Sequence, residues 1–443
     1  MRAHAAVAGA LLALGIWLSS GTLAPYAASV ARPTIVEPCH YLVSVDHPHH
    51  IAPFFMLMGA PPEYWQWSVV LRRILYPIAV YPFVRVAGVL AGGLIANILF
   101  SVAAQIAFAG LIARRFGRSS GIATLWLLAT YPGITYWAGL PYSYAGIVPA
   151  SLFCMALLLR TDEATHLREV IAAATMMGVA FLAYDLLPFF LPAAVITLTV
   201  RRRYTWAALA ALLAVLPTLV VLATFRAMSL EVSNSNTSTY GAILSSYLHP
   251  SWSGEWAASL ARLPVVLASN FLFSNFIFLP LLFLAVVVIR RGKCLGAPEL
   301  AVLTAALALF LFNNAAPPYY GWQMRGEWIA RIYQPIFVVF LMAIGRALQV
   351  LPQSRALKAC ILAAVIGNAA IVFGPVTLTP FGPWAYLRFY QHAPTTFMLA
   401  NLRLYGRRPL GICRTTHEGD DLPNPDTEFN RPVYTYRYEK KTP

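Results

Sequence analysis

The chain is written in long apolar blocks separated by short polar breaks. Runs such as ALALFLF and AVVVIRR do not alternate apolar with polar residues, which excludes the strands of a membrane barrel. Lipid offers nothing to hydrogen-bond a free peptide group, so apolar blocks of this length must be helices. Crossing the hydrocarbon core takes roughly 20 residues. Eleven blocks fit, at approximately 5–22, 86–113, 121–139, 144–160, 169–184, 186–200, 206–228, 264–289, 298–315, 333–350 and 357–376. The expected fold class is therefore all-α, a polytopic helical membrane protein with about 11 transmembrane helices.

Composition agrees. Of 443 residues, 59% are hydrophobic and 11% charged, whereas a soluble domain carries about 25% charged residues. The formal charge of +15 invites a nucleic-acid reading. No zinc-finger spacing, GKS/GKT phosphate loop or RNA-binding signature supports it, and it is rejected. The positions of the basic residues explain the charge instead. Arg2 precedes the first block, which ends in SSGTLA; signal cleavage after Ala24 would leave Pro25 at the next position, which cleavage disfavours. The block is read as a retained signal anchor with its N-terminus inside. Together with Arg2, the inner loops at 114–118, 160–168, 201–203, 290–293 and 346–358 then hold 15 of the 32 Lys and Arg residues. The outer loops, though longer, hold 8, and the C-terminal tail 9. Every short inner loop is basic, as the positive-inside rule requires.

This divides the chain into a transmembrane domain, 1–379, with long outer loops at 24–85 and 229–263, and an outer C-terminal tail, 380–443. Within the first loop, EYWQWSVVLRRILYPIAVYPF pairs aromatics with arginines, as a helix lying in the membrane interface does. The tail ends in the weakly hydrophobic HEGDDLPNPDTEFNRP. There is no internal repeat and no pair of broken helices in matching halves, the usual pointer to a secondary transporter. Cys39 and Cys413 are the two cysteines on the oxidising side; a disulfide between first loop and tail and two free thiols both stay open.

Candidate chemistry concentrates outside. Before the tail, seven acids face that side: Glu37, Asp46, Glu63, Asp185, Glu231, Glu255 and Glu327. None lies near mid-bilayer, where an ion-coupled transporter would want one. Asp46, in SVDHPHHIAPFF, stands beside His47, His49 and His50. It could deprotonate a hydroxyl or hold a divalent metal ion with the histidines, although their spacing matches no standard zinc pattern. An Asp before His-Pro also starts a turn unaided. Asp185, in LAYDLLPFF, falls in the tight outer turn between the fifth and sixth blocks. It could orient an acceptor, or simply cap a helix. Arg325, Glu327 and Arg331, in QMRGEWIARIYQP, and Arg72 with Arg73 supply guanidinium groups suited to a lipid phosphate, or to headgroup snorkelling. Tyr131, Tyr136, Trp137, Tyr142 and Tyr144 could stack on sugars, but an aromatic belt accounts for them without a ligand. Asn97 and Gln105 are expected to hydrogen-bond between helices.

With these features in place, the chain resembles the GT-C superfamily of integral-membrane glycosyltransferases. Shared are an inside N-terminus, many spans, and a long first outer loop with a carboxylate soon after the first helix. The run RRILYPIAVYPFVRVAG…ANILFSVAAQIAFAGLIARRFG, then LLATYPGITYWAGLPYSYAGIVP, looks like the second-to-fourth-span region of bacterial members, and RGEWIARIYQP like their late outer-loop motif. The chain departs from the protein O-mannosyltransferase type, which has an Asp-Glu pair where Asp46-His47 stands here, and lacks the WWD-type signature of oligosaccharyltransferases. The resemblance implies transfer of a sugar from a polyprenyl-phosphate donor to a glycan, lipid or protein acceptor, on the periplasmic face of a bacterial inner membrane. It makes Asp46 the base and the arginines the stabilisers of the leaving phosphate. A transporter or flippase and a non-catalytic envelope assembly subunit are the alternatives.

Overall fold

The computed structural model describes residues 1–21, 71–139, 142–228, 296–315 and 334–373, with scattered positions at 53–59 and 245–283. Among these residues the chain is helical, without strands. In order, the helices are α1 (Arg2–Gly21), α2 (Leu75–Phe116), α3 (Arg118–Ala129), α4 (Pro132–Ala138), α5 (Ile147–Glu163), α6 (Leu167–Phe181), α7 (Phe190–Val200), α8 (Tyr204–Ala227), α9 (Ala297–Ala315), α10 (Gln334–Val350) and α11 (Arg355–Phe373). Turns of 3-10 helix, Ser143–Gly146 and Leu187–Phe189, lead into α5 and α7. Among the described residues three stretches are long and apolar enough to cross a membrane, Ala91–Phe116, Ser143–Glu163 and Tyr204–Ala227. Shorter apolar helices are Arg2–Leu18, Leu187–Val200, Pro298–Ala308 and Gln334–Val350. This is the pattern of a membrane protein. Most of the block expected at 264–289, and the whole tail, lie outside the described residues.

Two elements differ from the hydropathy reading. The block expected at 121–139 is two helices, because Tyr131 turns extended and Pro132, which has no N–H to give to the preceding turn, opens α4. The larger difference is in α2. At Gly88 the backbone takes φ 80° and ψ 170°, a conformation open essentially to glycine alone. The helix breaks there and the arm 75–87 folds back on the following helix. Tyr76 thereby hydrogen-bonds the Asn97 side chain at 3.0 Å, whereas 21 residues of unbroken helix would part them by about 31 Å. Phe83 meets Phe100 edge-on at 6.0 Å, and Gly92 approaches Phe83 so closely that a Cβ would collide with its carbonyl oxygen. The arm 75–87, the second half of the segment expected to lie along the interface, forms the short side of a helical hairpin. Substituting Gly88→Ala should lower the melting temperature of the purified protein, through strain of about 1–3 kcal/mol. An unchanged melting curve would mean that the break is not held by glycine.

The hairpin packs into a bundle with α10 at its centre. Burial does not alternate along the first half of α10; Ile336, Phe337, Val338, Val339, Leu341 and Met342 are all buried, and the helix packs against α2, α3, α5 and α9. Polar pegs fix the register. Gln334 donates to the Gly133 carbonyl at 3.1 Å, Ser120 donates to the Gly345 carbonyl at 2.7 Å, and Tyr131 stacks on Phe337. Gln105 donates to the Leu125 carbonyl, and Asn97 to that of Ala138, so both act between helices as expected. At the periphery, α8 packs on α6 and α7. A Cβ at Gly178 would collide with the Ala214 carbonyl oxygen, while Leu212, Leu216, Leu219 and Val220 of α8 are exposed, as suits a lipid-facing helix.

The charged residues gather at helix ends. Arg115, closing α2, bonds Asp162 at 2.8 Å and Glu163 at 2.5 Å, both at the end of α5, and lies 3.7 Å from Glu299 at the start of α9. Arg201, just after α7, reaches Asp162 at 2.6 Å. These five residues come from segments that the distribution of basic residues assigns to the inside.

Candidate functional site

A second charged group forms where the loop preceding α2 meets the connection between α6 and α7. Two arginines precede a helix start that has no acidic residue in its first turn and no side-chain cap. Cations there oppose the positive end of the helix dipole, so the arrangement calls for an anion. Asp185 supplies it. Its Oδ1 accepts from Arg72 Nε at 2.9 Å, and its Oδ2 accepts from Arg72 Nη2 at 3.0 Å, Arg73 Nε at 3.0 Å and Arg73 Nη2 at 2.7 Å. Asp185 therefore does not act as the helix cap that its position before LLP suggested; Leu186 holds that place and makes no side-chain cap bond.

The three side chains differ in access. Arg73 is 8% exposed, Arg72 15% and Asp185 17%, so Arg73 is the buried floor and the other two form the mouth. Tyr184 and Tyr144 flank the floor, with the Arg73 guanidinium 4.7 Å and 5.6 Å from their ring centres. Such faces stabilise a desolvated cation. The Leu75 amide donates to the Leu182 carbonyl at 3.3 Å, and Tyr76 packs on Gly146, so the arm of α2 is held to both neighbours.

Burial alone would push the Asp185 carboxyl up, but the charges of Arg73 and Arg72 and their hydrogen bonds outweigh it and hold it well below the usual carboxylate range. Burial likewise works against the charge on Arg73, and Asp185 with the two tyrosines more than offsets this. A depressed folded-state value means that the pair contributes stability above about pH 4, where an unfolded aspartate is ionised, and loses it as pH falls further. Wild type and Asp185→Asn should therefore differ in stability by a constant amount between about pH 5 and 8, with the gap closing in stronger acid. Thermal melts across that range would check this; a gap that narrows already at about pH 6 would contradict the pairing.

Three residues expected to serve chemistry outside, Arg72, Arg73 and Asp185, are thus brought together. Four aromatics expected in a lipid-facing belt, Tyr131, Trp137, Tyr142 and Tyr144, are instead buried against protein. Trp137 and Tyr142 stand edge-on to Tyr144, which meets Tyr184 in turn, while Tyr131 stacks on Phe337. Tyr184 was not singled out from sequence; its place beside Asp185 in the turn was the available signal. Asp46, His47, His49, His50, Arg325, Glu327, Arg331, Cys39 and Cys413 lie outside the described residues. Among the described residues no group of His, Cys, Asp and Glu is arranged to hold a metal ion. No family model, curated protein or solved structure matches the chain.

Proposed function

We propose that the chain is an integral-membrane glycosyltransferase of GT-C type. It transfers a sugar from a polyprenyl-phosphate donor to an acceptor on the periplasmic face of a bacterial inner membrane. The observation that carries this reading is the meeting of Arg72, Arg73 and Asp185, nominated separately as outward-facing, in one partly accessible cluster. The topology of eleven spans with the N-terminus inside is part of the proposal. It is supported by the helix ends assigned to the inside, which meet around Arg115.

In the reaction, the bond between the anomeric carbon and the phosphate oxygen breaks as the acceptor oxygen bonds to that carbon. The acceptor proton passes to Asp46, and polyprenyl phosphate leaves with the bonding electron pair. Arginines are suited to the charge that develops on the leaving oxygen, where fixed cations lower the barrier most. A phosphate departs as a stable anion, so no strong general acid is required. The transporter reading draws on one observation, ion-pair clusters at two ends of the bundle, which could act as gates.

Comparing lipid-linked sugars and surface glycans with and without the gene tests the proposal. The expected result is accumulation of one polyprenyl-phosphate sugar and loss of one glycan residue in the deletion strain. Identical profiles would end the reading.

A further inference from the structure

The Asp185 pairing leaves its arginines incompletely satisfied. Two guanidinium groups offer more N–H donors than one carboxylate accepts, and here three of the four bonds fall on a single oxygen, Oδ2. Arg73 Nη1 is buried and has no hydrogen-bond partner among the described residues. A buried donor without a partner carries a desolvation penalty that a better acceptor would remove. The three side chains by themselves sum to one positive charge, at the start of a helix whose dipole adds to it. Among the described residues, Asp185 satisfies the two arginines only in part.

We infer that Asp185 is an exchangeable counter-ion: a phosphate group displaces it from Arg72 and gains the unused Arg73 Nη1, so that Asp185 competes with the ligand for the same arginines. A phosphate has more acceptor oxygens than a carboxylate and matches the fork of a guanidinium. Arg73 stays clasped by Tyr144 and Tyr184, while Arg72 and Asp185, at the mouth, move apart and uncover its buried Nη1. The inference deepens the glycosyltransferase reading by giving the phosphate end of its donor a place and a competitor. It rests on that reading for the donor's identity alone.

The test is binding of farnesyl phosphate to the purified full chain in phosphatidylcholine nanodiscs, with farnesol as the uncharged control. Asp185→Asn, which removes the competing charge and keeps an acceptor oxygen, should bind about tenfold tighter than wild type, and Arg72→Gln about tenfold weaker. Equal or weaker binding by Asp185→Asn, or equal binding of farnesol, overturns the inference. Competition by inorganic phosphate would assign the exchange to the free anion. Loss of the tenfold gain in phosphatidylglycerol nanodiscs would assign it to bulk headgroups. Either supports the exchange itself. Should Asp185→Asn not fold, carbodiimide labelling of wild type replaces it: labelling at Asp185 should rise when farnesyl phosphate is added, and no rise overturns the inference. Exchange without sugar transfer would leave the inference standing and end the glycosyltransferase reading; transfer without exchange does the reverse.

Discussion

Asp46→Asn is expected to abolish sugar transfer while protein level and membrane insertion stay as in wild type. In the proposed topology the carboxylate, in SVDHPHHIAPFF, lies in an outer loop, and in the proposed reaction the acceptor hydroxyl loses its proton as the glycosidic bond forms. A neutral amide cannot take that proton. General-base catalysis contributes about 10²–10⁴-fold, and a loss of at least that size is expected here. Transfer by membranes of each variant, normalised to protein content, measures it. Activity within a few-fold of wild type would remove Asp46 as the base. The change is nearly isosteric, so a fall in transfer at constant protein level is a fall in chemistry.

Asp185→Ala should have the largest effect on the fold. It leaves Arg73, 8% exposed, beside a second guanidinium with no anion between them. Arginine does not escape by losing its proton, as a buried lysine does, so both charges persist. Removing one member of a buried pair costs about 3–5 kcal/mol, because the remaining charge is stranded. A steep fall in melting temperature and in membrane yield is expected. Asp185→Asn should fall between Ala and wild type, since its amide oxygen still accepts from Arg73. If Ala and Asn were equally mild, the cluster would be a surface pair of little weight.

Much of the helical plan was readable from sequence. The apolar blocks at 5–22, 206–228, 298–315, 333–350 and 357–376 lie within a few residues of α1, α8, α9, α10 and α11. Hydropathy reads well there because burial in lipid or protein imposes the same demand on every backbone amide. It reads poorly where one residue redirects the chain within an apolar run. The stretch TLWLLATYPGITYWAG is continuously hydrophobic, and Pro132 breaks it through a missing N–H that hydropathy does not weigh. In VRVAGVLAGG the reversal at Gly88 depends on a positive φ that any glycine permits and none announces.

The site was legible in parts and not as a whole. Arg72, Arg73 and Asp185 each stood out as charges on the wrong side of the positive-inside rule or in a tight turn. Their pairing spans more than a hundred residues of sequence, and nothing local encodes it. Tyr131, Trp137, Tyr142 and Tyr144 show the converse. Whether they face lipid or protein depends on which helices close around them, here α10 and the α2 arm.

The most direct measurement uses the purified chain in proteoliposomes containing lipid extract from the deletion strain, with the acceptor added outside. The accumulated polyprenyl-phosphate sugar is expected to be consumed, free polyprenyl phosphate to appear in equal amount, and Asp46→Asn to show neither change. A donor that moves between leaflets with its sugar still attached would contradict the glycosyltransferase reading.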